Sequence, residues 1–237
     1  MLGVFVISYN DIKLLPDMYT SFVNNMPTGM PYSMLGLDVG SNDGSFDYLQ
    51  ERMFTIHKNN RDTWDSIIIG FKDEDFKHLS RCLNFGFELL MKNKCTHILW
   101  LHPDVKSIQQ GWTDVLMNYM NNNPKIAKLA PRIKGVDETA QDDIGNACPF
   151  IITADICQKL KDKYGYIYDP EYIGIGGYED WDINKRIVDL GYDVYITNKA
   201  AVEHEGMGTR KNMDTVLEQK YNSNIYYKKY GTYKSFI

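Results

Sequence analysis

The stretch "LDVGSNDGS", Leu37 to Ser45, decides how this chain is to be read. An apolar run, "SMLGLD" (Ser33 to Asp38), breaks abruptly into acids, serines, an asparagine and two glycines. Gly40 and Gly44 open backbone conformations that other residues avoid. The break can be a turn in which Asp38 and Asp43 bond their own backbone, as Asp and Asn commonly do. It can also be a ligand mouth, with the Asp38 carboxylate accepting from a nucleobase N–H or a ribose hydroxyl. The elements on either side discriminate between the two.

"GVFVIS" (Gly3 to Ser8) is short, apolar and rich in β-branched residues, which suits a buried parallel strand. Ile12, Leu15, Tyr19 and Phe22 then recur at helical spacing, with Pro16 in the first turn, where its missing N–H costs nothing. Phe54 to Ile56 is a weak third strand. Asp75 to Met91 is helical, "HILWLH" (His97 to His102) a strong buried strand, and Gly111 to Met120 a helix. "IAKLA" (Ile126 to Ala130) and "CPFIIT" (Cys148 to Thr153) are strands, the second leading into a helix through Leu160. A helix from about Asp180 to Leu190 ends at Gly191, a C-cap position, and "YDVYIT" (Tyr192 to Thr197) follows as a strand. Asn59 to Glu74 and Gly135 to Gly145 are polar and fit no element; the second is a candidate mobile loop.

Strands alternating with helices predict an α/β fold, a mainly parallel sheet flanked by helices. In such sheets ligands bind beyond the carboxyl ends of the strands. That rule points to Tyr9-Asn10, Asp38 to Ser45, and His102 to Asp104.

The bulk properties narrow the classes. A chain of 237 residues with 43% apolar residues buries a sizeable core, in one large domain or two small ones. Its 26 basic and 31 acidic residues give a net charge of −5, which lends no support to general polyanion binding. The four cysteines form no C-x-x-C pair and predict reduced core thiols of a cytoplasmic protein. No apolar run is long enough to span a bilayer. The N-terminus has no basic lead and reads as a strand, not a secretion signal.

Three further clusters can carry chemistry. In "LWLHPDV" (Leu99 to Val105) Pro103 marks a turn, and Asp104 is either a turn acid or one of the few carboxylates that a phosphate-bound divalent cation needs. In "IGIGGYEDWDINKR" (Ile173 to Arg186) glycines precede Glu179, Asp180 and Asp182 at a helix start. These acids either complement the helix dipole or offer a general base to a hydroxyl. In "VEHEGMGTR" (Val202 to Arg210) His204 is a structural histidine or a metal ligand.

In this order the segments resemble the GT-A fold glycosyltransferases, in particular the large inverting family that includes bacterial rhamnosyl-, glucosyl- and galactosyltransferases. "VFVISYND" is similar to that family's first strand and "LDVGSNDGS" to its sugar-nucleotide signature. "CLNFGFELL" (Cys82 to Leu90) is similar to its Asn-x-Gly helix, and "ILWLHPDV" stands where it has its metal-binding D-x-D. "GGYEDWDINKRIVDLGYDV" resembles its acceptor-side Glu-Asp motif, and "VEHEG" its late metal-binding histidine. The resemblance covers roughly Leu2 to Gly208.

It implies a single GT-A, Rossmann-like domain over residues 1–209. Beyond the resemblance, the Tyr- and Lys-rich stretch over 210–237 reads as a helical extension packed on that domain, either an aromatic platform on the acceptor side or a peripheral packing helix. It implies an inverting transfer of a hexosyl or pentosyl group from a nucleoside-diphosphate sugar to an acceptor hydroxyl, assisted by Mn2+ or Mg2+. Asp38 would bond the base, and Tyr9, Asn10, Ser41, Asp43 and Asn84 would shape the nucleotide site. Asp104 and His204 would hold the metal. His102 stands where the family has its first acid, so one carboxylate fewer holds the ion. Asp180 would be the general base, with Glu179 beside it. Arg210, Lys211 and Lys220 are candidates to offset charge on the leaving diphosphate.

The acceptor is left open between a saccharide, a lipid-linked glycan, a protein and a hydroxymethylated DNA base. Net charge argues against DNA and the C-terminal lysines for it. A sugar-nucleotide-binding module without turnover is a further alternative. A nucleotidyltransferase would carry a Gly-rich phosphate loop after the first strand, and "SYNDIKLL" has none.

Overall fold

The first strand explains the layers. β1 (Leu2–Ser8) sends Leu2, Val4 and Val6 to one face and Phe5 to the other, and all four are fully buried. A strand apolar on both faces must be covered on both. In the computed structural model the sheet is covered in that way. The structure describes residues 1–27, 30–59, 63–70, 78–135, 149–175, 177–206 and 214–231, with the side chains of 53–68 outside the description.

Eight strands form one sheet in the order β3-β2-β1-β4-β7-β6-β8-β5. The other strands are β2 (Tyr32–Asp38), β3 (Thr63–Gly70), β4 (His97–Leu101), β5 (Val105–Ser107), β6 (Ile126–Ile133), β7 (Phe150–Thr153) and β8 (Asp193–His204). β3, β2, β1 and β4 run parallel, as do β6 and β8, while β7 and β5 pair antiparallel with their neighbours. The mainly parallel α/β sheet expected from the sequence is therefore present.

One face packs on α1 (Leu15–Asn25) and α4 (Trp112–Asn122), through Met18, Phe22, Trp112, Leu116 and Met120. The other packs on α3 (Leu79–Lys92), α5 (Ala154–Tyr164) and α6 (Glu179–Asp189), through Leu83, Phe87, Ile156, Leu160, Ile183 and Ile187. Pro16 lies in the first turn of α1. Gly191 follows α6 with φ +84°, the left-handed residue that ends a helix. Cys82, Cys95 and Cys157 are buried free thiols; burial pushes Cys82 up to about 12 and Cys95 up to about 11. Cys148 lies outside the described residues.

The third strand is a correction. Phe54 to Ile56 belongs to α2 (Ser45–Asn59), and the strand is Thr63–Gly70, within the stretch that fitted no element. A three-residue segment is too short to separate strand from helix, and a helix started at Ser45 runs through it. "SIII", Ser66 to Ile69, pairs in parallel register with β2, Met34 opposite Ser66 and Asp38 opposite Gly70. β5 is a second strand that the sequence did not announce. The Gly135 to Gly145 loop lies outside the described residues beyond Gly135.

α3 approaches β1 most tightly at Gly86. A Cβ on Gly86 would sit 2.2 Å from the Phe5 ring, which is itself fixed edge-on against Phe87. Gly→Ala inside a helix normally stabilises by up to about 1 kcal/mol. Here overpacking wins: Gly86→Ala is expected to destabilise by on the order of 1–3 kcal/mol, read as a fall in the urea midpoint. A midpoint at or above wild type would show that the Phe5 ring moves freely.

Candidate active site

The strand order reverses direction between β1 and β4: the chain steps outward through β2 and β3 and then returns to the other side of β1. Such a switch point leaves a crevice beyond the carboxyl ends of the strands. Tyr9-Asn10 follows β1, the Val39 to Gly44 turn follows β2, and His102-Pro103-Asp104 follows β4. All three stretches picked from the sequence meet there.

The first two loops are knit together. Ser41 donates its N–H to Asp38 Oδ1 at 2.9 Å and its hydroxyl to Asp38 Oδ2 at 2.6 Å. The Ser41 hydroxyl oxygen accepts the Asn10 N–H at 2.8 Å, and Asn10 Oδ1 accepts the Asn42 N–H at 2.9 Å. Asn10, Gly40 and Gly44 take positive φ of 55°, 75° and 94°, which the tight turns require. Asp43 accepts the Ile12 N–H and both the N–H and hydroxyl of Ser45. Burial works to raise the Asp43 carboxyl, but these bonds outweigh it and hold it below the usual carboxylate range.

The turn reading of this loop is thus correct as far as it goes. It does not exhaust Asp38, whose carboxylate has about four acceptor sites and gives two to Ser41. Asp11, which sequence reasoning passed over, completes the cradle together with Ser45. Asp11, buried, accepts the Tyr9 N–H, and its own N–H goes to the buried Ser45 hydroxyl.

The third loop holds the acid–imidazole cluster. The Val105 N–H donates to His102 O at 3.2 Å, so Pro103 sits inside a tight turn. β5 then pairs antiparallel with the end of β8, Val105 opposite His204, and the Glu205 N–H donates to Asp104 O. His204 Nε2 is 3.1 Å and His102 Nδ1 3.9 Å from Asp104 Oδ1. One nitrogen of each ring and one carboxylate oxygen lie within 4.8 Å of one another. Asp104 is 8% exposed and His204 14%, and the His102 ring is braced edge-on by Trp100. Two imidazoles and a carboxylate are a donor set that fits a divalent first-row transition metal. A cleft of about 370 Å3 opens on this cluster, lined by Asp104, His204, Lys106, Lys134, Glu203 and Glu205.

The acceptor-side acids start α6. Tyr178, its N-cap, has φ +75°, and Glu179, Asp180 and Asp182 fill the first turn. The three differ. Asp182 is fully buried, accepting from Arg186 Nε at 2.6 Å, Tyr230 OH at 2.8 Å and Tyr172 OH at 3.3 Å. Asp182 is therefore structural. Glu179 is 3% exposed, whereas Asp180 is half-buried. Ahead of them the loop is tied to α7 (Val216–Tyr230) by Asn222 and Glu218.

Asn84 is elsewhere. Its Oδ1 accepts the Ile167 and Tyr168 N–H groups and its Nδ2 donates to Tyr168 O, so it clamps the chain after α5. Arg210 and Lys211 lie outside the described residues, and Lys220 is exposed on α7.

No sequence-family model matches the chain, and no curated protein matches it in sequence. Solved structures do match in fold. Residues 1–349 of S. aureus TarS in complex with UDP-GlcNAc align at TM-score 0.64 and 12% identity, covering 96% of this chain and 70% of that one. GalNAc-T7 with UDP, GalNAc and Mn2+ aligns at TM-score 0.64 and 14% identity, over 86% of this chain and 43% of its own. Mannosyltransferase PcManGT from Pyrobaculum calidifontis, in complex with GDP-Man and Mn2+, gives 0.62 and 10%, over 95% and 69%. The chain has the GT-A fold. No described helix is long and apolar enough to cross a membrane.

α7 is held at its far end by charge. Lys229 Nζ bonds Asp169, which also accepts the Tyr166 hydroxyl at 2.8 Å and the Glu171 N–H at 2.9 Å. Burial works to raise the Asp169 carboxyl, but the Lys229 ammonium and the two other donors hold it below the usual range. A depressed carboxyl contributes stability above its unfolded pKa of about 4 and loses it as pH falls through the lower folded value. Lys229→Met is expected to cost on the order of 1–3 kcal/mol at neutral pH. That cost should shrink as pH drops below about 4, when urea midpoints of variant and wild type are compared. A pH-independent difference would mean that packing, not the ion pair, holds α7.

Proposed function

We propose that this chain is an inverting glycosyltransferase that moves a sugar from a nucleoside-diphosphate donor to an acceptor hydroxyl. The observation that carries the reading is the His102–Asp104–His204 cluster at the switch-point crevice, beside the cradle formed by Asn10, Asp38 and Ser41. UDP-GlcNAc, GDP-Man and Mn2+ in the fold's solved counterparts support it.

In this reading Asp38 accepts a hydrogen bond from the nucleoside, Tyr9 and Asn10 line its pocket, and Ser41 and Asp43 hold the loop in shape. Asp104, His204 and His102 would hold a divalent cation, whose positive charge would offset the negative charge of the leaving diphosphate. Asp180, with Glu179 beside it, takes the proton from the acceptor hydroxyl. The acceptor oxygen attacks the anomeric carbon from the face opposite the diphosphate, the carbon–oxygen bond to the diphosphate breaks, and the configuration inverts. One base suffices, because no sugar–enzyme bond forms.

The donor set also bears on the metal. Mg2+ favours oxygen ligands in near-ideal octahedral geometry, whereas imidazole suits later and softer ions. Of the two ions expected from the sequence we propose Mn2+, which as a first-row transition ion accepts imidazole nitrogen more readily than Mg2+ does. A thermal-shift panel of UDP, GDP, TDP and CDP, each with Mn2+ or Mg2+, tests this, since a ligand of the native state raises the melting temperature by mass action. One nucleotide is expected to stabilise the protein with Mn2+ much more than with Mg2+. Asp104→Ala should erase the metal dependence, and His102→Asp should move the preference toward Mg2+. A panel with no metal-dependent shift would remove the donor-site reading.

Asp180 is tested by turnover. Asp180→Asn is expected to lower transfer by at least about 100-fold, the usual worth of a general base, while the nucleotide–Mn2+ shift stays as in wild type. Near-normal transfer would take Asp180 out of the catalytic role.

A further inference from the structure

We propose that Asn222, in the C-terminal helix, is the positioning residue for the acceptor-side base, with Glu218 as its partner. The proposal rests on the reading of Asp180 as that base. Asn222 is fully buried. Its Oδ1 accepts the Ile173 N–H at 2.9 Å, and its Nδ2 donates to Ile173 O and to Gly177 O, both at 3.0 Å. One side chain thus bridges the two ends of the loop that delivers the chain into α6.

Glu218, one turn earlier on α7, holds the middle. Its Oε2 accepts the Ile175 N–H at 3.0 Å. Its carboxylate also occupies the space a Cβ on Gly174 would need, 2.0 Å away, and Gly174 sits at φ +57°. From the other side the Gly174 N–H donates to His78 Nδ1 at 2.8 Å, and Gly174 O accepts the Leu79 N–H at 2.9 Å.

The grip matters because the acids lie immediately downstream of it. Gly177 and Tyr178 take successive left-handed conformations, φ 83° and 75°, the second without a glycine's freedom. Glu179 and Asp180 come next, so the angle at which Asp180 meets an acceptor is set by the Gly177 carbonyl that Asn222 holds. Packing alone does not call for an amide here. Ile225 and Tyr226 already bury the helix against Tyr172 and Trp181. A buried amide also costs desolvation that only its own hydrogen bonds offset. A misplacement of about 1 Å in a reacting group can cost about 100-fold in rate.

The test uses the full chain. Amide exchange is followed for peptides covering residues 173–182 in wild type, Asn222→Ala, Asn222→Ser, Glu218→Gln and Asp180→Asn. Release of nucleoside diphosphate from UDP-glucose and GDP-mannose with Mn2+ is measured alongside the UDP–Mn2+ and GDP–Mn2+ thermal shifts. Asn222→Ala is expected to raise exchange in 173–182 at least about tenfold and to lower kcat about 10- to 100-fold, with nucleotide shifts unchanged. Glu218→Gln keeps an acceptor for Ile175 and should stay near wild type. Asn222→Ser, which keeps one donor and one acceptor, should fall between and serves if the alanine variant does not fold.

Exchange and kcat within twofold of wild type in the Asn222 variants, with Asp180→Asn inactive, would overturn this proposal alone. Full turnover by Asp180→Asn would remove the base assignment, and the positioning role with it. If neither donor turns over, unchanged exchange in 173–182 overturns the proposal and raised exchange confined to that loop supports it.

Discussion

The structure depends on a contradiction between two distances. β4 and β5 are four strand spacings apart in the sheet order, about 19 Å if the sheet were flat. Yet three residues, His102 to Asp104, join them, and the bond between His102 and Val105 holds those two residues within about 7 Å. The sheet must therefore curl until its far edge returns to the end of β4. That curl brings β8, nearly a hundred residues later, against the Pro103 turn and sets His204 beside Asp104. Without the turn, the acid after β4 and the imidazole at the end of β8 would stand three strand spacings apart, about 14 Å in a flat sheet.

This geometry explains what could be read from the sequence. Strands buried on both faces, such as "GVFVIS" and "HILWL", are continuous apolar runs, and a parallel sheet follows from their alternation with helices. The crevice follows in turn, so Asn10, Asp38 and Asp104 were legible from position alone. β5 was not. It is three residues long and is a strand only because β8 lies beside it, which is a tertiary fact. β3 was hidden in a polar stretch, and the short segment Phe54 to Ile56 of α2 took its place.

The acids show the same limit more sharply. "YEDWD" offers three carboxylates within four residues, and nothing in that spacing separates them. Tertiary partners do. Asp182 faces Arg186, Tyr172 and Tyr230, the last from the C-terminal helix, while Asp180 is left half-buried. Asn84, legible as part of a family motif, spends its amide on the backbone of Ile167 and Tyr168. Asn222 and Glu218 carried no signal at all. Their partners are backbone groups more than 40 residues away, and a helix whose polar residues point inward has no apolar stripe to announce it.

Asp182 and Asp169 differ from Asp104 in the kind of charge that faces a buried acid, and this difference separates a scaffold from a site. Asp182 is met by a guanidinium and Asp169 by an ammonium, cations under all ordinary conditions. Their partners cannot leave without exposing a buried carboxylate, which makes removal of one partner expensive. Asp104 is met by two imidazoles, each a cation only when protonated and a metal ligand when neutral. A divalent ion can enter that cluster by displacing protons rather than side chains. In the proposed reading one ion would take up the acid and both neutral rings together, and its affinity would fall as the rings gain protons.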